Sequence, residues 1–114
     1  MNIIIKTRHA EVEESLKAYA SKKMRKLRKF LREPAMVELT FEDVRGGLKG
    51  GRDKSVHITA TVPKEGKPIH VEELSDDFAV SVDLAELHLR RILERYHEKS
   101  RRGFRHVWRR IFRK

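Results

Sequence analysis

The chain of 114 residues contains no cysteine. That excludes a disulfide framework, Cys-ligated zinc and thiol catalysis. Proline occurs three times, tryptophan once, and aromatic residues make up only 7% of the chain. No apolar run approaches the ~20 residues of a membrane span. The opening MNIIIKTRH places its charges after an isoleucine run, so no signal peptide is expected. The constellations of common catalysis are missing as well. There is no G-x-x-x-x-G-K-[ST] loop and no G-x-S-x-G elbow. The acid pairs Glu72-Glu73 and Asp76-Asp77 are adjacent in sequence and do not converge on one substrate atom. His57 and His70 can approach on neighbouring strands but lack a third ligand. No enzyme activity, cofactor or metal is expected, and the composition fits a soluble cytoplasmic domain.

What is abundant is positive charge. Lys and Arg number 27 against 17 Asp and Glu, a net +10. The excess is segregated: residues 12–33 carry +5, residues 34–87 carry −5, and residues 88–114 carry +9. Two separate basic segments that meet in space form the footprint of a polyanion binder. The alternative is a pair of merely solvated helix faces.

The elements follow from hydrophobic periodicity. Ile3, Ile4 and Ile5 predict a strand over Met1–Thr7. Val12, Leu16, Tyr19, Ala20, Met24, Leu27, Phe30 and Leu31 share one apolar arc, predicting a helix from Val12 to Leu31 that Pro34 ends. Its cap is not evident. Val37, Leu39 and Phe41, then Val56, Ile58, Ala60 and Val62, then Ile69 and Val71 alternate with polar residues. They predict three strands of an antiparallel sheet covered on one side. The glycine-rich stretch 45–54 and the turn at Lys64–Lys67 link them. Ser75, followed by Asp76 and Asp77, is the expected N-cap of a second helix. Phe78, Val82, Ala85, Leu89, Ile92, Leu93 and Tyr96 form its buried face, and Gly103 is the expected break. The fold class expected is α+β, a β-α-β-β-β-α sandwich with two helices on one face of a four-stranded sheet. Residues 1–102 form its domain and residues 103–114 a basic amphipathic tail.

With the apolar arc inward, Lys17, Lys22, Arg25, Lys26, Arg28, Lys29 and Arg32 point outward on the first helix. Lys23 falls near the arc, and its stem is expected to be buried with the amine reaching out to water. On the second helix His88, Arg91, Arg95, Lys99 and Arg102 recur every three or four residues as a stripe. Side by side, the two rows would bound a cationic groove suited to RNA phosphates. Leu84 and Leu87 point away from the core face, toward the first helix or a partner.

The run from Val12 to Tyr19 (VEESLKAY) and that from Lys22 to Phe30 (KKMRKLRKF) resemble the first helix of the ribosome hibernation promoting factors. That family includes the ribosome-associated inhibitors and was formerly named for sigma-factor modulation. The segment Glu73–Leu84 is similar to its E-D-M-Y-A-A-I-D stretch, with Phe78 at the aromatic and Asp83 at the acidic position. Leu89, Arg91, Leu93, Arg95 and Tyr96 continue the pattern. The likeness spans residues 1 to about 100. It implies a fold similar to double-stranded RNA-binding domains. It also implies binding in the decoding channel of the small ribosomal subunit, where messenger and tRNA would lie. RNA-contacting positions of the family map onto Lys22, Lys23, Arg25, Lys26, Lys29, His88, Arg91 and Arg95. Leu87-His88 departs from the family's usual Asp-Lys, and the glycine-rich loop is this chain's own. A monomer off the ribosome is expected, with ribosomal RNA as partner and no small-molecule substrate. A structural ribosomal protein and a general double-stranded RNA-binding module are the alternatives.

In the tail, Phe104, Val107, Trp108, Ile111 and Phe112 recur at i, i+3, i+4, i+7 and i+8, opposite arginines. Three readings stand: folding on RNA through Arg105, Trp108, Arg109 and Arg110, lying at a membrane surface, or packing back on the domain.

Overall fold

The computed structural model describes the backbone of residues 1–31, 33–44, 53–61 and 67–112, and side chains as far as residue 95. The elements run β1 (Asn2–Arg8), α1 (Glu14–Arg25), a 3₁₀ turn (Arg28–Phe30), β2 (Met36–Asp43), β3 (Lys54–Thr61), β4 (Ile69–Ser75) and α2 (Phe78–Phe112). The loop over 45–52 and the turn over 64–66 lie outside the described residues, as do Val62 and Arg32.

The strands form one sheet in the order β1-β2-β3-β4. The first strand, whose direction the sequence left open, pairs parallel: β1 lies beside β2 with Ile3 next to Val37 and Ile5 next to Leu39. The cause is the connection. The chain leaves β1, crosses the sheet as α1 and re-enters in the same direction, which gives a parallel pair. β2, β3 and β4 are antiparallel neighbours, with Leu39 opposite Ile58 and Ile58 opposite Val71.

Both helices cover the same face. Ala20, Met24 and Leu27 meet Val37, Leu39, Phe41, Val56 and Ile58 of the sheet, and Val82, Ala85 and Leu89 of α2 close the layer, all fully buried. Phe41 stands edge-on to Phe78, ring centres 5.2 Å apart, and ties the first residue of α2 to the end of β2. The other face carries paired charges. Lys6 meets Glu38 at 3.0 Å, Arg8 meets Glu42 at 3.7 Å, and His57 lies 3.2 Å from Glu42 and 3.8 Å from Glu72. His70 bonds Thr59 rather than approaching His57. No metal-holding cluster occurs among the described residues.

Three helix expectations are corrected. The first helix does not run from Val12 to Leu31. It starts at Glu14, capped by Glu13 without a side-chain bond, and ends at Arg25. Leu27, Phe30 and Leu31 then donate backbone hydrogen bonds to the residue three before, the 3₁₀ pattern. Met24, Leu27 and Phe30 recur every three residues, so the tighter winding keeps them on one side as well as an α-helix does. Ser75 is not the N-cap of α2 but the last residue of β4. Asp77 caps instead, its Oδ1 accepting from the Ala79 N–H at 2.8 Å. Ser75 Oγ accepts from the Asp77 N–H at 3.2 Å and lies 2.6 Å from Ser81 Oγ. Ser81 Oγ in turn donates to the Lys54 carbonyl at 2.6 Å, so buried hydroxyls tie β3, β4 and α2 together. Gly103, finally, is not a break: α2 is continuous to Phe112. One interior glycine costs a helix only about 1 kcal/mol relative to alanine.

Candidate nucleic-acid interface

α1 lies over β1 and α2 over β3 and β4, side by side on the covered face. Crossing the sheet against β1 and β4 respectively, they run in the same direction. Burial of Ala20 and Met24 turns Lys22, Arg25 and Lys26 to solvent, and the 3₁₀ turn presents Arg28 and Lys29 there too. Lys29 also rides over the Phe30 ring at 5.2 Å. On α2, burial of Val82, Ala85, Leu89 and Leu93 leaves Arg91 and Arg95 exposed. Arg95 Nε donates to the Arg91 backbone carbonyl at 3.4 Å, which lays its stem back along the helix. Six of the sequence-derived candidates therefore stand free on the helix layer: Lys22, Arg25, Lys26, Lys29, Arg91 and Arg95.

The rest are placed differently. Lys17 is half-buried and paired with Glu14 at 3.4 Å. His88 leans to the flank of α2 remote from α1, its Nδ1 3.0 Å from Glu73 Oε1 on β4. Lys23 turns into the interhelical seam. Its Nζ lies 3.4 Å from Asp83 Oδ1 and 5.7 Å over the Tyr19 ring, with 21% of its side chain exposed. The side chains of Lys99, Arg102, Arg105, Trp108, Arg109 and Arg110 lie outside the described residues, although their backbone continues α2.

The space between the rows is not a purely cationic groove. The Tyr19 hydroxyl donates to Asp83 Oδ1. That bond, together with burial and the carboxylate's charge, raises the Tyr19 pKa. Burial disfavours the Lys23 ammonium, yet Asp83, Tyr19 and Glu86 outweigh it and raise the pKa of Lys23. One turn on, Glu86 is 4% exposed and its nearest cation is Arg90, 3.9 Å away. Asp83 and Glu86 directly follow the buried Val82 and Ala85 of α2. Their role emerges only once α1 is set beside them. Among the described residues of α2, Val80 and Leu84 are the exposed large apolar side chains, 45% and 41% accessible, while Leu87 is half-buried.

At the far end of the covered face Lys54 Nζ reaches Asp43 at 2.7 Å and Asp53 at 3.6 Å. The hydrogen bond to Asp43 leads in raising the Lys54 pKa, against burial and with help from both carboxylates' charge. Lys54 also lies over the Phe78 ring at 5.5 Å, so its charge serves packing. Near it, His9, Ala10, Glu11 and Asp43 line an open hollow outside the basic rows. No described helix is long and apolar enough to cross a membrane.

Two solved structures share this architecture. The N-terminal domain of Protein Y from Thermus thermophilus superposes with a TM-score of 0.67 at 23% identity, over 84% of this chain and 99% of that one. A ribosomal subunit interface protein from Coxiella burnetii gives 0.68 at 23% identity, over 86% and 99%. At that identity the likeness establishes the fold. Membership comes from the sequence itself: residues 3–101 match the family described as Sigma 54 modulation protein / S30EA ribosomal protein. The chain belongs to that family, the one its two basic helices resemble.

Proposed function

We propose that this protein is a ribosome-binding translation inhibitor, a hibernation factor that occupies the messenger and tRNA channel of the small subunit without chemistry. The observation that carries the reading is the solvent-facing set Lys22, Arg25, Lys26, Lys29, Arg91 and Arg95 on α1, the turn that follows it and the adjacent α2 of an S30EA-family fold. Such side chains suit phosphate contacts, and the arginines add bidentate geometry. Lys99 and Arg102, with Arg105, Trp108, Arg109 and Arg110 further along α2, extend the contact surface in this reading. His88 contributes from its flank, and the protein gathers on idle ribosomes in the cytoplasm during stress and stationary phase.

The test is co-sedimentation with small subunits across a salt series. Lys22, Arg25, Lys29, Arg91 and Arg95 replaced together by Glu should abolish binding while the circular dichroism spectrum persists. Each lost RNA phosphate contact removes roughly 0.7 from the slope of log K against log salt. Undiminished binding by the folded variant refutes the reading. Constant stoichiometry on ribosomes in every growth phase would identify a structural ribosomal protein instead. Tight binding to naked duplex that competes with ribosomes would identify a general double-stranded RNA module.

A further inference from the structure

We propose that Asp83 is a specificity-determining and positioning residue: it locks the two basic helices in register and withholds Lys23 from RNA. The inference rests on the RNA-binding reading above and names a residue that acts inside it. Among the described side chains, Asp83 is where α1 and α2 meet through polar contacts. One oxygen, Oδ1, receives the Tyr19 hydroxyl and stands 3.4 Å from Lys23 Nζ. The ammonium also lies over the Tyr19 ring, so three groups converge on one seam. Rotation of either helix about its axis, which would redirect Lys22 and Lys26 against Arg91 and Arg95, pulls these groups apart.

The same contact sorts ligands. Lys23 sits between Lys22 and Met24 on a helix whose neighbouring cations are exposed, yet its ammonium faces a carboxylate. A phosphate that approached Lys23 would meet Asp83, whose side chain remains 49% exposed. Like charge there repels a backbone laid along the seam. The favourable tracks run on either side, one over Lys22 and Lys26, the other over Arg91 and Arg95. A folded RNA that offers two separate backbone segments fills both tracks, whereas one flexible strand does not. Asp83 therefore favours structured ribosomal RNA over single strands by repulsion at the centre.

The experiment uses the full chain and compares small subunits with polyuridylate over a salt series, with thermal melts alongside. Lys23→Gln should leave the salt slope on both RNAs unchanged, because the ammonium is already spoken for. Asp83→Asn should bind polyuridylate at least fivefold tighter, with a slope steeper by about 0.7, one added phosphate contact on a single strand. Its preference for subunits should shrink correspondingly. Lys23→Gln placed on Asp83→Asn should remove the added slope. A purely structural role would move the melting temperature but not these slopes. A lower slope for Lys23→Gln in the native background overturns the proposal, and so does a folded Asp83→Asn with unchanged slope and selectivity. If Asp83→Asn does not fold, Lys23→Gln decides alone. Should the native chain fail to bind subunits at all, the functional reading falls, while the polyuridylate arm still decides the role of Asp83.

Discussion

Replacing Ser81 by alanine tests whether the buried hydroxyl network holds α2 to the sheet. Ser81 is fully buried, donates to the Lys54 carbonyl and lies 2.6 Å from Ser75 Oγ. Removing one member of a buried hydrogen-bonded set costs about 1–3 kcal/mol, because the partners lose water and gain nothing. Alanine returns about 0.5 kcal/mol through better helix propensity. The net loss is therefore about 1.5 kcal/mol, which for a domain of this size lowers the melting temperature by about 6 °C. Urea unfolding followed at 222 nm reads it as a lower midpoint with an unchanged m-value. The Ser75→Ala, Ser81→Ala double variant should lose less than the sum of the singles, since each hydroxyl is partly a partner of the other. A Ser81→Ala midpoint equal to that of the native chain, or strict additivity in the double variant, would refute the network's role.

Two further outcomes follow from the contacts described. Asp77→Ala removes the α2 cap and should cost about 1 kcal/mol, whereas Asp76→Ala, one residue earlier and exposed, should be nearly neutral; parallel thermal melts discriminate them. The folded state holds the protons of Tyr19, Lys23 and Lys54 more tightly than the unfolded chain does. Their contribution to stability is thus complete below the unfolded pKa values, about 10, and is lost as pH rises through the raised folded values. Denaturation midpoints should fall above about pH 10, and Tyr19→Phe combined with Lys54→Met should flatten that fall; an equally steep decline in the variant would contradict the assignment.

The sheet and its covered face could be read directly because alternation is unambiguous: Val37, Leu39 and Phe41 can bury together only as a strand. Strand direction has no such signature. Ile3 and Ile5 look the same in a parallel or an antiparallel neighbour, so the pairing of β1 emerged only with the crossover. Over Met24, Leu27 and Phe30 the periods of α and 3₁₀ winding coincide, which hid the early end of α1. Ser75 and Asp77 both carry cap chemistry, and only the reach of β4 decided between them. In the interface, outward cations such as Arg25 and Arg91 followed from their angle to the buried stripe. The buried stem of Lys23 followed from its angle too, but the carboxylate that takes its ammonium did not, nor did the partner of His88. Their nearest anions, Asp83 and Glu73, lie far off in sequence and become neighbours only through packing.

The acidic balance of the sheet layer bears on how the molecule travels. The strands hold five carboxylates (Glu38, Glu42, Asp43, Glu72, Glu73) against three cations (Lys6, Arg8, Lys54). The layer above carries the surplus lysines and arginines of α1 and the turn after it. Charge separated this way across two layers gives the protein an electric dipole directed from sheet to helices. Near a polyanion the dipole feels a torque before any contact forms, which turns the helical side forward and shortens the search for a productive orientation. High salt would blunt that guidance first, slowing arrival before it loosens what has already docked.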